Sequence, residues 1–220
     1  MINEVYNIDC MEFMKTLPDK HYNLAICDPP YFDGPKNRSF STGTYYLGRK
    51  GEDRKYAKQK CYDANPDWKV PDINYYNELC RISKHQIIWG ENYFNFPTGP
   101  GRLFWNKKNL KSTFSNGEIA SCSLIESVRM FEYQYMGFCR ADRNEPKITP
   151  TQKPRALYEW ILTKFAKKGW LIFDSHVGSG SSRIACRDLG FDFIGTELNK
   201  TVYEAQEKRY IQYCITNPLA

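Results

Sequence analysis

The sequence has no long apolar run and no paired-cysteine motif, and these absences exclude several classes of protein. No stretch of its 220 residues approaches the roughly 20 consecutive apolar residues that span a bilayer. The opening residues, MINEVYNIDC, are neither basic nor continuously apolar, so we expect no signal peptide and a cytoplasmic protein. The eight cysteines are scattered and none forms CxxC, which predicts reduced, mostly buried thiols and no metal site.

The sequence also lacks GxGxxG and the lysine of a P-loop, which disfavours NAD and ATP as ligands. One glycine turn is present: Gly178 and Gly180 follow an apolar run that ends at Asp174, and a helix is predicted from about Ser181. The next predicted strand ends at Glu197, whose carboxylate could accept both hydroxyls of a ribose. The pattern predicts a nucleoside-cofactor site beside free N–H groups of a helix, and the alternative is a tight structural turn.

Apolar runs and helical spacing predict strands that alternate with helices along a single domain. The predicted strands span residues 5–9, 22–27, 85–90, 102–107, 118–125, 128–135, 170–174 and 191–197. The predicted helices span residues 10–17, 73–83, 154–169 and 182–190, with a final helix through 204–214. We expect residues 118–125 and 128–135 to form a β pair. The alternation predicts the α/β class, with a doubly wound, mostly parallel sheet and helices on both faces.

The formal net charge of +6 is concentrated in one segment, residues 34–60, which holds eight basic residues and two acids. Aromatic residues are interleaved with the charges, and aliphatic residues are few. We interpret the segment as a mobile basic loop that contacts nucleic-acid phosphates, within an insertion at about 34–70; the alternative is a solvated insertion without a ligand. The basic residues are Lys36, Arg38, Arg49, Lys50, Arg54, Lys55, Lys58 and Lys60.

The stretch CDPPYFDG places an acid and two prolines directly after the predicted strand 22–27. A carboxylate at the end of a buried strand is costly to desolvate unless it binds something, and the prolines make the backbone rigid. An ordinary turn is the alternative. Because ligands of open parallel sheets bind outside the carboxyl ends of the strands, we expect Asp28 to face the glycine turn that follows Asp174.

Four blocks of the sequence resemble those of a known family. They are DPPY at 28–31, TPTQKP at 149–154, DSHVGSGS at 174–181 and FIGTELN at 193–199. In this order they resemble the beta class of amino-group DNA methyltransferases, whose motif order is circularly permuted, over nearly the whole chain. The resemblance implies one Rossmann-like methyltransferase domain over residues 1–220, with S-adenosylmethionine as cofactor and double-stranded DNA as partner. DPPY implies adenine N6 as acceptor; the alternatives are cytosine N4 and a non-catalytic nucleic-acid-binding subunit.

The resemblance also implies roles for the residues of the DPPY block. Asp28 and the carbonyl of Pro29 would accept the two N–H groups of a flipped base, held by the rigid pair Pro29 and Pro30. Tyr31 would stack on the base. Second stacking faces are expected from Phe32, Phe131 and Tyr133, or from Tyr135.

Cofactor contacts are implied for residues in each of the other blocks and near the N-terminus. Asp9 and Cys10 would flank the adenine, Glu197 would bind the ribose, and Thr151 and Lys153 would close over the methionine end. For Lys153 an ordinary surface cation is the alternative. The full set is Asp9, Cys10, Asp28, Thr151, Lys153, Asp174, His176, Gly178, Ser179, Gly180, Ser181 and Glu197.

The sequence departs from the family pattern in three places. Ser175 and His176 stand where the family has proline and an aromatic residue, and Thr149 replaces a histidine. Only about ten residues, GFCRADRNEP, occupy the usual place of the target-recognition region. Recognition is therefore reduced there, and either the basic loop at 34–60 does this work or the sequence selectivity is modest. A chain with so small a recognition region would gain DNA-contacting surface by pairing, so we expect a homodimer.

Overall fold

The computed structural model describes residues 1–31, 44–47, 55–58, 70–109, 115–136, 139–142 and 145–219. For residues 44–47, 55–58, 136, 139 and 140 only the backbone path is described. The strands are β1 (Asn3–Tyr6), β2 (Tyr22–Cys27), β3 (Thr44–Leu47), β4 (Lys55–Lys58), β5 (Ser83–Trp89), β6 (Gly101–Asn106), β7 (Gly117–Cys122), β8 (Val128–Glu132), β9 (Tyr135–Met136), β10 (Cys139–Arg140), β11 (Leu171–Asp174) and β12 (Asp192–Thr196). The helices are α1 (Cys10–Lys15), α2 (Ile73–Ile82), α3 (Arg155–Phe165), α4 (Ser181–Asp188) and α5 (Lys200–Thr216), and a 3-10 turn spans Glu91–Tyr93.

The main sheet of the described chain has the order β1-β12-β11-β2-β5-β7-β6-β8. The first five strands in this order run parallel to one another, β7 is antiparallel to β5 and β6, and β8 is parallel to β6. This arrangement confirms the predicted α/β class with a mostly parallel sheet.

The two faces of the sheet are covered by different helices. Leu24 and Ile26 of β2 pack with α3 and α4, and the alternate residues Ala25 and Cys27 pack with α1 and α2. The period-2 pattern of a strand therefore supplies two cores, one on each face of the sheet. Within the described residues, no helix has the length and apolar character to cross a bilayer, and the described cysteines are free thiols.

The predicted β pair of residues 118–125 and 128–135 is wrong, because β6 lies between β7 and β8. The connection after β7 crosses the start of β6, where the backbone N–H of Arg102 donates to the carbonyl of Ser127. A Cβ atom at Gly101 would lie 2.4 Å from the carbonyl oxygen of Ile125. Glycine at this position therefore permits a crossing that places β8 on the far side of β6.

Other differences concern element ends and the basic segment. The first strand ends at Tyr6 and not at Asp9, because the Asp9 carboxylate accepts N–H bonds from Met11 and Glu12 and caps α1. Helix α3 ends at Phe165, four residues before Gly169. Where a loop was expected, β3 and β4 form an antiparallel pair. Lys55 and Lys58 lie in β4, and the other six basic residues predicted to contact DNA fall outside the described residues.

A substitution of Ile87 in β5 tests the description of the core. The Ile87 side chain is fully buried against the α3 and α4 side of the sheet. We expect Ile87→Ala to lower the free energy of unfolding by about 2 to 5 kcal/mol through lost burial and the cavity left behind. The matched control is Ile211→Ala on α5, where the side chain is 56% exposed, with an expected change within about 0.5 kcal/mol. Equal losses for the two variants in denaturant titrations would contradict this description of the core.

Candidate active site

The two predicted loops meet at one edge of the sheet. Strands β2 and β11 are parallel neighbours, Asp28 follows β2, and Asp174 ends β11. From β2 the chain passes through α2 to β5 on one side, and from β11 it passes through α4 to β12 on the other. The sheet therefore changes its winding direction between β2 and β11, which is where open α/β sheets bind ligands. The predicted meeting of the two loops is confirmed.

Lys153 occupies the centre of the site on the β2 side. Its side chain is 2% exposed, and its Nζ lies 2.5 Å from Oδ1 of Asp28 and 3.0 Å from Oε2 of Glu118. Lys107 also forms an ion pair with Glu118, and the hydroxyl of Tyr31 donates to Oε2 of Glu118 at 3.0 Å. The buried ammonium of Lys153 and the partly buried ammonium of Lys107 thus neutralise two carboxylates. Lys153 is not the surface cation that was the alternative for this residue.

The ionisation of this cluster follows from its charges. Burial raises the pKa of Asp28, and the nearby Lys153 only partly offsets this. Burial also opposes ionisation of Glu118, but Lys153 and Lys107 outweigh it and lower the pKa of Glu118 to about 2. Burial would lower the pKa of Lys153, but Asp28 and Glu118 together raise it. The ammonium therefore stays charged at neutral pH.

Tyr31 follows the two prolines and is held on several sides. Its ring stacks on Tyr93 with the centroids 5.3 Å apart, and the ammonium of Lys153 lies 5.3 Å from the centroid of the Tyr31 ring. A Cβ atom at Gly90 would lie 2.2 Å from the Tyr31 ring, and Gly90 has a φ of +77°. Glycine is required at position 90 for both reasons. Of the other predicted stacking residues, Phe32 lies outside the described residues.

Phe131, Tyr133 and Tyr135 lie on the β8 side of the sheet. The rings of Phe131 and Tyr133 stack at 5.7 Å, and Phe131 contacts Trp160 of α3 at 5.3 Å. The hydroxyl of Tyr135 accepts a 2.9 Å bond from the side-chain amide of Gln152. These contacts place the three aromatic residues in packing around α3 and the segment that precedes it.

The glycine loop is closed by backbone and carboxylate bonds. Gly178 and Gly180 have φ values of +55° and +78°, which favour glycine. The N–H of Gly178 donates to Oε2 of Glu197 at 2.9 Å, and the other oxygen of Glu197 accepts from the N–H of Asn199. Glu197 therefore holds the end of β12 and the glycine loop together.

Asp174 is fully buried at the base of this loop. It accepts bonds from the hydroxyl of Ser182 at 2.6 Å and from the N–H of His176 at 3.0 Å. Burial raises the pKa of Asp174 to about 7 and lowers the pKa of His176 to about 4, so the imidazole is neutral at neutral pH. The imidazole Nδ1 lies 2.8 Å from the Ser175 hydroxyl, which lies 2.7 Å from the hydroxyl of Tyr75.

The remaining predicted cofactor residues lie at the start of α1, in the turn before α3 and in the glycine loop itself. Asp9 caps α1, and its charge raises the pKa of His176, although burial lowers that pKa more strongly. Cys10 is the first residue of α1; its thiol is buried, and burial raises its pKa to about 12. Thr151 is exposed in the turn before α3. Ser179 and Ser181 are buried, and their hydroxyls lie 3.2 Å apart.

Sequence reasoning missed several side chains of the site, among them Glu118, Arg209 and Glu145. Glu118 is the one acid within the segment GEIASC of β7, and an acid in a buried strand is the signal that could have found it. Arg209 of α5 donates to the carbonyl of Ser179 at 2.6 Å and pairs with Glu145 at 2.8 Å, both side chains being nearly fully buried. Local sequence carries no signal for this long-range pair, which supports the glycine loop from behind.

Asp174 makes stability depend on pH. Its carboxyl titrates near 7 in the folded protein and near 3.8 in an unfolded chain, so between these pH values the folded state binds the extra proton and loses stability as the pH rises. We expect Asp174→Asn, which has no such proton, to gain stability relative to wild type from about pH 4 to about pH 7. Denaturant titrations across this range measure the difference, and a difference that is constant with pH would contradict the assignment.

Comparison with known proteins gives the family of the chain. Residues 50–208, more than two thirds of the chain, match the N6_N4_Mtase family, described as DNA methylase. This range contains the blocks TPTQKP and DSHVGSGS but not DPPY. The Type II methyltransferase M2.MboI of Moraxella bovis is 25% identical over 94% of this chain and 86% of its own length.

Solved structures agree in fold. The crystal structure of the M1.HpyAVI-SAM complex matches with a TM-score of 0.53 and 19% identity over 95% of this chain and 100% of that one. The PvuII DNA methyltransferase, described as cytosine-N4-specific, matches with a TM-score of 0.58 and 11% identity over 96% of this chain and 86% of its own. The chain belongs to the N6_N4_Mtase family of DNA methylases, which confirms the resemblance at the level of the amino-group DNA methyltransferases.

Proposed function

We propose that the protein transfers a methyl group from S-adenosylmethionine to the N6 amino group of a flipped adenine in double-stranded DNA. The observation that carries the proposal is the position of Asp28: its carboxylate stands on the rigid DPPY turn, beside the glycine loop, at the switch point of the sheet. Family membership supports DNA as the substrate.

The exocyclic amine of adenine is a poor nucleophile, because its lone pair is delocalised into the ring. In the proposed reaction the Asp28 carboxylate accepts a hydrogen bond from one N–H of the amine, and the carbonyl of Pro29 accepts a hydrogen bond from the other. This favours a tetrahedral nitrogen whose lone pair points at the methyl donor. When bound, S-adenosylmethionine supplies an electrophilic methyl group on a sulfonium centre.

The donor set around the glycine loop fits this cofactor. Gly178 and Gly180 allow close approach to the N-terminus of α4, and Glu197 places a carboxylate for ribose hydroxyls at the end of β12. Burial raises the pKa of the Asp174 carboxyl to about 7. A bound cation would favour the ionised form of this carboxyl, and the cofactor carries both an ammonium and a sulfonium. The neutral ring of His176 can pack against the adenine.

A reaction at cytosine C5 would need a thiolate nucleophile, and Cys27 next to Asp28 does not supply one. Cys27 is fully buried at the end of β2, and burial raises its pKa to about 12. The thiol is therefore neutral at physiological pH, which favours direct transfer to an amino group without a covalent enzyme intermediate.

The target amine is hidden in a duplex, so the base must be flipped at a cost of roughly a few kcal/mol. Tyr31 would stack on the flipped base, and basic residues of the 34–60 segment would offset the cost through phosphate contacts. A homodimer would double this contact surface, and we propose it as the functional assembly.

Cytosine N4 is the second candidate acceptor, because the PvuII enzyme of similar fold is described as cytosine-N4-specific. The two acceptors are separated by liquid chromatography of nucleosides from DNA that the purified protein has methylated. N6-methyladenine supports the proposal, and N4-methylcytosine as the product would overturn the adenine assignment.

Asp28 provides the test of the catalytic role. We expect Asp28→Ala to abolish methyl transfer, because the amine loses its acceptor, and to change S-adenosylmethionine affinity much less. The control is Asp19→Ala at an exposed position, where a surface ion pair with Arg81 contributes little to stability. Rates come from transfer of a radiolabelled methyl group and affinities from calorimetry, and an unchanged rate in Asp28→Ala would reject the assignment.

The basic segment provides a test of DNA binding. Neutralising Lys55, Lys58 and Lys60 to glutamine should weaken duplex binding and flatten the plot of log affinity against log salt by roughly 0.9 per lysine that contacts a phosphate. The matched control neutralises Lys164, Lys167 and Lys168, which are exposed at and after the end of α3. If the two triple variants bind alike across a salt series, the 34–60 segment is not the electrostatic contact.

A further inference from the structure

The Asp28 carboxylate, which the proposed reaction needs as a hydrogen-bond acceptor, already forms an ion pair with Lys153. Oδ1 of Asp28 lies 2.5 Å from the ammonium of Lys153, closer than any other partner of that ammonium. An ammonium at this distance competes with an incoming N–H donor and reduces the negative charge that would orient the amine. A role for Asp28 as acceptor therefore requires that its ion pair with Lys153 weakens when the base binds.

If the Lys153 ammonium moved away from Asp28, it could not reach water. The Lys153 side chain is 2% exposed, and the rings of Tyr31 and Trp89 lie 5.3 and 5.5 Å from its Nζ. A buried ammonium without a carboxylate partner is strongly unfavourable. The ammonium therefore needs a second acid within reach of a small side-chain movement.

Glu118 is that second acid. Its Oε2 lies 3.0 Å from the same Nζ, and Glu118 belongs to β7, two strands away from β2, which Asp28 follows. The other oxygen of Glu118 is paired with Lys107, and Tyr31 donates to Oε2 at 3.0 Å. These contacts fix Glu118 in place, and they also tie the hydroxyl of the proposed stacking residue to the same carboxylate.

We propose that Glu118 is a positioning residue of this reaction: it takes over the ammonium of Lys153 when the target base binds, so that Asp28 is free to accept the N–H of the amine, and it holds Tyr31 in register. This inference rests on the proposed function. Only the pairing of the Lys153 ammonium changes. No proton moves between the side chains, and none of their covalent bonds forms or breaks.

Glu118→Gln tests the proposal. In this variant Lys153 can pair only with Asp28, so we expect the single-turnover rate of methyl transfer to fall by on the order of 10- to 100-fold while S-adenosylmethionine affinity changes by less than about twofold. The acid limb of the rate profile should also move to lower pH, because loss of the Glu118 charge and full pairing with Lys153 both lower the pKa of Asp28. The loss of charge alone would move this limb without lowering the rate on the plateau above it, so the proposal requires both changes.

Three further variants complete the test. Glu126→Gln, at an exposed position after β7, is the matched control and should leave rate and profile unchanged. Glu118→Asp keeps the charge and should recover part of the rate. Glu118→Gln/Lys153→Met removes the competing ammonium and should move the acid limb to higher pH, opposite to the single variant, and it keeps the proposal testable if Glu118→Gln does not fold.

The outcomes separate the two proposals. Transfer by the wild type together with an unchanged rate and pH profile in Glu118→Gln overturns the role of Glu118 alone. A slower Glu118→Gln whose acid limb stays in place, with a lower melting temperature and weaker cofactor binding, overturns it in favour of a structural role. No transfer by the wild type to duplex DNA of mixed sequence overturns the proposed function, and the role of Glu118 with it.

Discussion

The buried ion cluster around Lys153 is the interaction on which the site depends. One ammonium joins three segments that are far apart in the sequence: the DPPY turn after β2, strand β7, and the segment before α3. Removing either acid would leave two ammonium groups facing one carboxylate, and the uncompensated charge would be unfavourable at a site that is largely shielded from water. The cluster therefore fixes where Asp28 and Tyr31 stand, and it constrains the antiparallel part of the sheet to lie against the parallel part.

The order of the strands explains why motifs at opposite ends of the chain form one site. Strand β2 begins one half of the winding and β11 begins the other, and the two strands are adjacent. The side that holds Asp28 is rigid through prolines and ion pairs. The side that holds Asp174 is built from glycines, serine hydroxyls and the buried Arg209 and Glu145 pair. One sheet edge thus presents an acceptor side and a cofactor side.

Much of the fold could be predicted from the sequence because its signals are local. The prolines after β2 and the glycine turn between β11 and α4 mark the ends of these elements in the sequence. The structure places β2, β11 and α4 within a residue or two of the predicted ends. Strand order beyond β5 could not be predicted, because it depends on the long-range crossing that Gly101 permits. Glu118 does carry a local signal, an acid in a strand, but its role could not be predicted because its partners, Lys153 and Tyr31, come from distant segments.

The most direct measurement is a crystal structure of the protein bound to duplex DNA and an S-adenosylmethionine analogue without a transferable methyl group. We expect the analogue on the glycine loop, a flipped adenine whose amino nitrogen lies about 3 Å from both the Asp28 carboxylate and the Pro29 carbonyl, and the Lys153 ammonium moved to Glu118. A bound base whose amine lies away from Asp28, or an analogue in a different cleft, would contradict the assignment of this sheet edge as the site of methyl transfer.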